Sequence, residues 1–142
     1  MSPAEIVTAM MAKDAYSQWL GIQILETGAG YAKVQLTVRP EMLNGHGIAH
    51  GGITYGLSDS CFAFASNSRG QKAVSIETSI SHVAAVQEGD VLTAESSEDS
   101  LNPKIGVYHI RVTNQRAETV ALFKGMVYRK KEVWTLSPDV SP

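Results

Sequence analysis

Asn44-Gly45-His46-Gly47-Ile48-Ala49-His50-Gly51-Gly52 runs into about twenty residues, from His50 to Arg69, that contain no proline and stop at Gly70. A glycine-rich entrance, an uninterrupted run and a closing glycine are the marks of one long helix. Ile53, Leu57, Cys61 and Phe64 fall at i, i+4, i+8 and i+11, and Phe62, Ala63 and Ala65 make the second half apolar nearly all round. Such a helix is expected to be buried on most of its sides, so the rest of the chain has to wrap it.

The flanking sequence supplies the wrapping. From Tyr31 to Arg39, Ala32, Val34, Leu36 and Val38 alternate with Lys33, Gln35, Thr37 and Arg39, the period of a strand with one buried face. Residues 22–27 precede it across Gly28-Ala29-Gly30 and read as its hairpin partner. Beyond the helix, strand-like runs at 72–83, 91–101, 105–114 and 119–130 are separated by Glu88-Gly89-Asp90, by Asn102-Pro103 and by residues 114–118. Before the hairpin, Ser2-Pro3 opens an amphipathic helix over 3–19, with Ile6, Val7, Met10 and Met11 at helical spacing and Gly21 as its end. The expected fold class is α+β, an antiparallel sheet wrapped around one long central helix. One domain is expected over 1–131, with a mobile tail over 132–142 that holds Trp134 and ends Ser-Pro-Asp-Val-Ser-Pro.

With 142 residues and 44% hydrophobic content, the chain has room for one ordinary core. A net charge of -2 gives no basic surplus for a nucleic-acid backbone, so nucleic acid is not an expected partner. No apolar stretch approaches the roughly 18 to 20 residues that a membrane helix requires. Cys61 is the single cysteine and no export signal opens the chain, so the expected compartment is the cytoplasm.

Asn44, His46, His50 and Asp59 are the polar residues around the long helix. The helix start exposes unpaired N–H groups and the positive dipole end, a place for a developing oxyanion if a carbonyl oxygen rests on the N–H of Gly51. A plain loop-to-helix turn is the alternative. Asp59 lies among apolar neighbours, where a carboxylate needs either a structural partner or a task. As a task it would be the base that activates water or the nucleophile that attacks a carbonyl. His50 either orients the loop or the carbonyl, or caps the helix. His46 and His50 with Asp59 form a poor zinc set, because the histidines straddle a flexible turn and no third close ligand follows; no metal is expected. Gly45-x-Gly47-x-x-His50 lacks the third glycine and the strand context of a dinucleotide fingerprint. Cys61 reads as a small buried hydrophobe, and Ser58 and Ser60 lack a nucleophile elbow.

Asp59 lies eight residues beyond Gly51, about 12 Å further along the axis at roughly 1.5 Å per residue. One carbonyl could not easily touch both. If both act on one carbonyl, Asp59 has to come from a second copy whose helix runs in the opposite direction, so a homodimer with shared sites follows from the mechanism.

The combination of Asn44-Gly-His-Gly-Ile-Ala-His50-Gly51-Gly52, Leu57-Ser58-Asp59 and, later, Asn114 with Val120-Ala-Leu-Phe-Lys-Gly125 resembles the phenylacetic-acid-degradation (PaaI-type) hot-dog thioesterases over residues 15–130. The resemblance implies a hot-dog fold, hydrolysis of aryl-acyl or related acyl-CoA thioesters without a cofactor, and a tetramer built from two dimers. It implies that Gly51 donates to the carbonyl with support from His50, that Asp59 of the neighbouring chain attacks or activates water, and that Asn44 positions the water or the carbonyl. Gly52, Ala63 and Lys104 fall to the substrate side, Lys104 as one of several basic residues that could meet CoA phosphates. Related enzymes with Glu at the Asp59 position often carry Thr where this chain has Ala63. Tyr55, Phe62, Phe64 and Tyr108 either line an aromatic slot or belong to the core. Two other readings stand beside hydrolysis: an acyl-thioester hydratase or dehydratase, and a non-catalytic acyl-CoA-binding module.

Overall fold

The structure, a computed structural model, describes residues 1–136. Ser2 starts helix α1 (Pro3–Lys13) with a capping box, its hydroxyl accepting from Glu5 N and the Glu5 carboxylate accepting from Ser2 N. The helix expected over 3–19 is in fact two. Asp14 leaves the helical region at φ -94°, ψ 84°, and its carboxylate accepts from the N–H and the hydroxyl of Ser17, which starts a second helix, α2 (Ala15–Leu20). A side chain able to cap its own downstream N–H groups thus outweighs continuation of the helix. Gly21, at φ 73°, closes α2.

Strands β1 (Gln23–Gly28) and β2 (Tyr31–Thr37) form the expected hairpin, turning through Gly30 at φ 72°. A short 3-10 turn, Pro40–Met42, leads to the glycine-rich loop and then to α3 (Gly51–Asn67). Four strands follow: β3 (Gln71–His82), β4 (Val91–Leu101), β5 (Ile105–Thr113) and β6 (Thr119–Val133). All neighbours pair antiparallel in the order β1-β2-β4-β5-β6-β3. The alternating residues Ala32, Val34 and Leu36 are buried, as are Ile53, Leu57, Cys61 and Phe64 of the helix they cover. This is the hot-dog fold, α+β, with the sheet wrapped around α3.

β6 runs past residue 130 to Val133, and Trp134 is tied down beyond it. Its backbone N–H donates to Gly70 O at 2.8 Å, its indole N–H donates to Asn67 Oδ1 at 2.9 Å, and the Lys72 ammonium lies over the ring. Residues 132–134, expected to open a mobile tail, are thus bonded to the body of the fold, the indole finding a buried acceptor at the helix end. Residues 137–142 of that tail lie outside the described residues.

Phe62, Phe64 and Tyr108 are fully buried, so those three aromatics are core; Tyr55 is part-exposed and its hydroxyl pairs with Thr78 at 2.7 Å. Phe62 meets Tyr108 and Phe123 with ring centroids 5.9 and 5.6 Å apart. It also lies flat over Gly125, where an added Cβ would stand 2.6 Å from a ring carbon. Neither the ring nor the strand can yield cheaply. Gly125→Ala is accordingly expected to lower unfolding free energy by about 3 kcal/mol, read as an earlier urea midpoint. Phe62→Leu in the same chain should recover part of that loss, and an unchanged midpoint for the single variant would contradict the packing described.

Candidate active site

The loop before α3 is closed by its own residues. Asn44 N donates to Ile48 O at 2.8 Å, while Asn44 Oδ1 accepts from His46 N at 2.9 Å and from Ile48 N at 3.4 Å. The Asn44 amide nitrogen makes no hydrogen bond among the described residues, so its donors are available. His50 N donates to Met42 O, and the His50 ring caps the helix, Nδ1 accepting from Gly52 N at 2.8 Å. An accepting Nδ1 puts the proton of the neutral ring on Nε2.

That cap uses the N–H of Gly52. The N–H of Gly51 has no partner among the described residues, because it precedes the first intrahelical bond and His50 serves its neighbour instead. A Cβ at Gly52 would stand 3.0 Å from His50 Nδ1, so the second glycine makes room for the capping ring and the first keeps the open donor.

Gly51, Asn44, Ile48, Thr54 and His82 line a cavity of about 430 Å³ together with the 83–86 segment. Thr54 and His82 were not singled out from the sequence. Thr54 Oγ1 donates to Gly51 O and contacts His82 Nδ1, both at 3.1 Å, and a Cβ at Gly51 would lie 3.3 Å from His82 Nε2. Thr54 sits three residues beyond Gly51 on the same helix face, a spacing open to inspection. The approach of His82 depends on where β3 ends and has no local signature.

Asp59 is two turns away, half-buried, and its carboxylate makes no hydrogen bond among the described residues. Burial, and next the like charge of Asp14, hold its carboxyl above the usual aspartate range. Asp14 is brought there by α2, whose Ser17 hydroxyl meets the Ser60 hydroxyl at 2.7 Å. Ala63 is one turn beyond Asp59. Lys104 sits in the β4–β5 turn, at the end of the sheet where Glu98 pairs with Arg69 beyond the C-terminus of α3, and so is not brought to the Gly51 end within one protomer. His46 stays exposed on the loop. Cys61 is buried, its thiol pushed up by burial and directed at Ala32 O, and Ser58 donates to Thr54 O.

A helix-terminal N–H and a half-buried carboxylate, neither with a partner among the described residues, thus lie on the helix that a hot-dog sheet wraps. The Thioesterase superfamily profile matches residues 46–121, and the chain belongs to that family: it is a thioesterase. The chain is 41% identical over 121 residues to the acyl-coenzyme A thioesterase PaaI of Escherichia coli, covering 85% of this chain and 86% of that one. The solved structure of the E. coli PaaI protein, from the phenylacetic acid degradation operon, superposes with a TM-score of 0.91 at 38% identity, covering 94% of this chain and 96% of that one. A putative esterase of Archaeoglobus fulgidus is 43% identical over 87% of this chain and 80% of its own length. A Streptococcus mutans protein solved with acetyl CoA bound is more distant, at 26% identity and a TM-score of 0.77 over 80% of this chain and 91% of that one. No helix among the described residues is long and apolar enough to cross a membrane.

Proposed function

We propose that this thioesterase hydrolyses acyl-CoA thioesters of the aryl-acyl class, phenylacetyl-CoA among them, at a site shared between two copies of the chain. The single observation that carries the reading is the Gly51 N–H, without a partner among the described residues, on a residue that lines a cavity at the start of α3. A thioester oxygen resting on that donor gains as negative charge builds on it, and the donor is already in place before reaction. Asn44 offers a second donor from the amide nitrogen that its loop leaves unused. His50 holds the turn by capping Gly52.

Asp59 completes the chemistry from the other copy. As a base it takes a proton from water, the water oxygen bonds to the carbonyl carbon, and collapse of the oxyanion breaks the C–S bond. The CoA thiolate then recovers the proton. As a nucleophile its carboxylate bonds the carbonyl carbon, expels the thiolate and leaves an anhydride that water opens. Sharing follows from the roughly 12 Å that separate residues 51 and 59 on one helix.

Among the described residues β3 is a sheet edge of twelve residues bonded on one side only, with Val74 and Ile76 exposed, the kind of edge that pairs with another strand. α3 runs antiparallel beside it, Tyr55 bonding Thr78 and Asn67 bonding Ala73. Two β3 edges joined by a two-fold axis near Thr78 bring Gly51 of one α3 level with Asp59 of the other, because residue 55 lies midway between them. Two such dimers form the tetramer.

The test is thiol release from phenylacetyl-, hydroxyphenylacetyl-, benzoyl- and straight-chain acyl-CoA esters. Release is expected throughout the aryl-acyl set and fastest there. Binding of these esters with no thiol freed would overturn the hydrolase reading in favour of a binding module or a hydratase, and faster release from straight chains would overturn the acyl class.

A further inference from the structure

Resting on the thioesterase reading above, we propose that His82 is a binding residue of the same site, accepting a hydrogen bond from the amide N–H of the substrate's cysteamine arm. Every acyl-CoA carries that N–H two methylenes from the reacting sulfur, so it enters the site beside the carbonyl. A corner that recognises such a thioester needs a donor for the carbonyl oxygen and an acceptor for this N–H. Gly51 supplies the donor.

The acceptor follows from the hydrogens. The Thr54 hydroxyl has one hydrogen and donates it to Gly51 O at 3.1 Å. With that hydrogen on Gly51 O, the His82 ring proton is assigned to Nδ1, 3.1 Å from Thr54 Oγ1, which would accept it. Nε2 of the neutral ring is left with its lone pair. It points to the Gly51 side, 3.3 Å from where a Cβ would stand, makes no hydrogen bond among the described residues, and lines the cavity with Gly51 and Asn44. Glycine at 51 therefore leaves the approach to both polar groups open, and Thr54 sets which nitrogen of His82 accepts.

The experiment compares two small substrates, the phenylacetyl thioester of N-acetylcysteamine and its analogue with CH2 in place of the amide N–H. The ratio of their kcat/KM values is read in wild type, His82→Phe and Thr54→Val. Wild type is expected to favour the amide-bearing ester about fivefold, the worth of one neutral hydrogen bond. His82→Phe keeps a planar ring without an acceptor and should bring the ratio to about one. Thr54→Val frees the ring to place its proton on Nε2 and should give an intermediate ratio. The ratio is independent of how much of each variant is folded, and a role in packing alone would leave it unmoved. An equal ratio in all three proteins overturns the assignment of His82 while the thioesterase reading stands. Failure of wild type to cleave either ester overturns the reading on which both rest.

Discussion

Asp59→Asn is expected to slow thioester cleavage by about a thousandfold, with acyl-CoA binding retained. The amide has the shape of the carboxyl but neither its basicity nor its nucleophilicity, so the loss falls on kcat. The same carboxyl is expected to set the acid limb of the pH profile. Burial, then Asp14, raise it above the ordinary aspartate range. The base or nucleophile must be ionised, so activity falls as pH drops through that raised value. Asp14→Asn removes a like charge and should carry the limb to lower pH.

The sign for stability is opposite. A native pKa above the unfolded one means that the native state binds the proton more readily, so stability is fullest below the ordinary aspartate value and declines as pH rises through the raised one. Asp59→Asn removes that decline. It should melt a few degrees above wild type near pH 7, with the gap closing on acidification. Full activity in Asp59→Asn would make the residue structural and remove it from the site.

Gly51→Pro is expected to cost between a hundred- and a thousandfold in kcat, the range seen when an oxyanion donor is deleted. Proline is the informative replacement because Gly51 is the first residue of α3. That position accepts the fixed proline φ, and its N–H has no helical partner to lose. His50 before it is already extended, at φ -60°, ψ 139°, as a residue preceding proline must be. The new Cβ asks His82 to give by a few tenths of an ångström. The variant should therefore fold and lack chiefly the donor.

Mixing the two inactive variants tests the shared site. A heterodimer of Asp59→Asn with Gly51→Pro contains one site with both Gly51 and Asp59 and one with neither. Random reassortment of equal amounts should restore about a quarter of wild-type activity. No recovery after verified subunit exchange would place both groups in one protomer and overturn the two-copy site.

Much of this protein was legible along the chain because its signals are local. Strict alternation at residues 31–39 marked β2, the proline-free run between Gly52 and Gly70 marked α3, and Gly28-Ala29-Gly30 marked the first hairpin. Those features depend on neighbours a few residues apart, and the structure carries them with ends shifted by one or two positions. The Asn44-to-Gly52 loop and Asp59 were legible as candidates for the same reason, since helix starts and buried carboxylates announce themselves by residue type.

Contacts between distant segments decided the rest. Nothing local shows that Asp14 lies near Asp59, or that Trp134 turns back to Asn67. The same holds for the corner itself. Which glycine N–H stays free depends on the direction taken by the His50 ring, and the arrival of His82 beside Gly51 depends on β3 ending level with the start of α3. Sequence alone determined the elements and the kinds of group available, through periodicity and backbone preference. Tertiary structure decided which of those groups face one cavity, because side chains 28 residues apart are placed by the packing of helix on sheet.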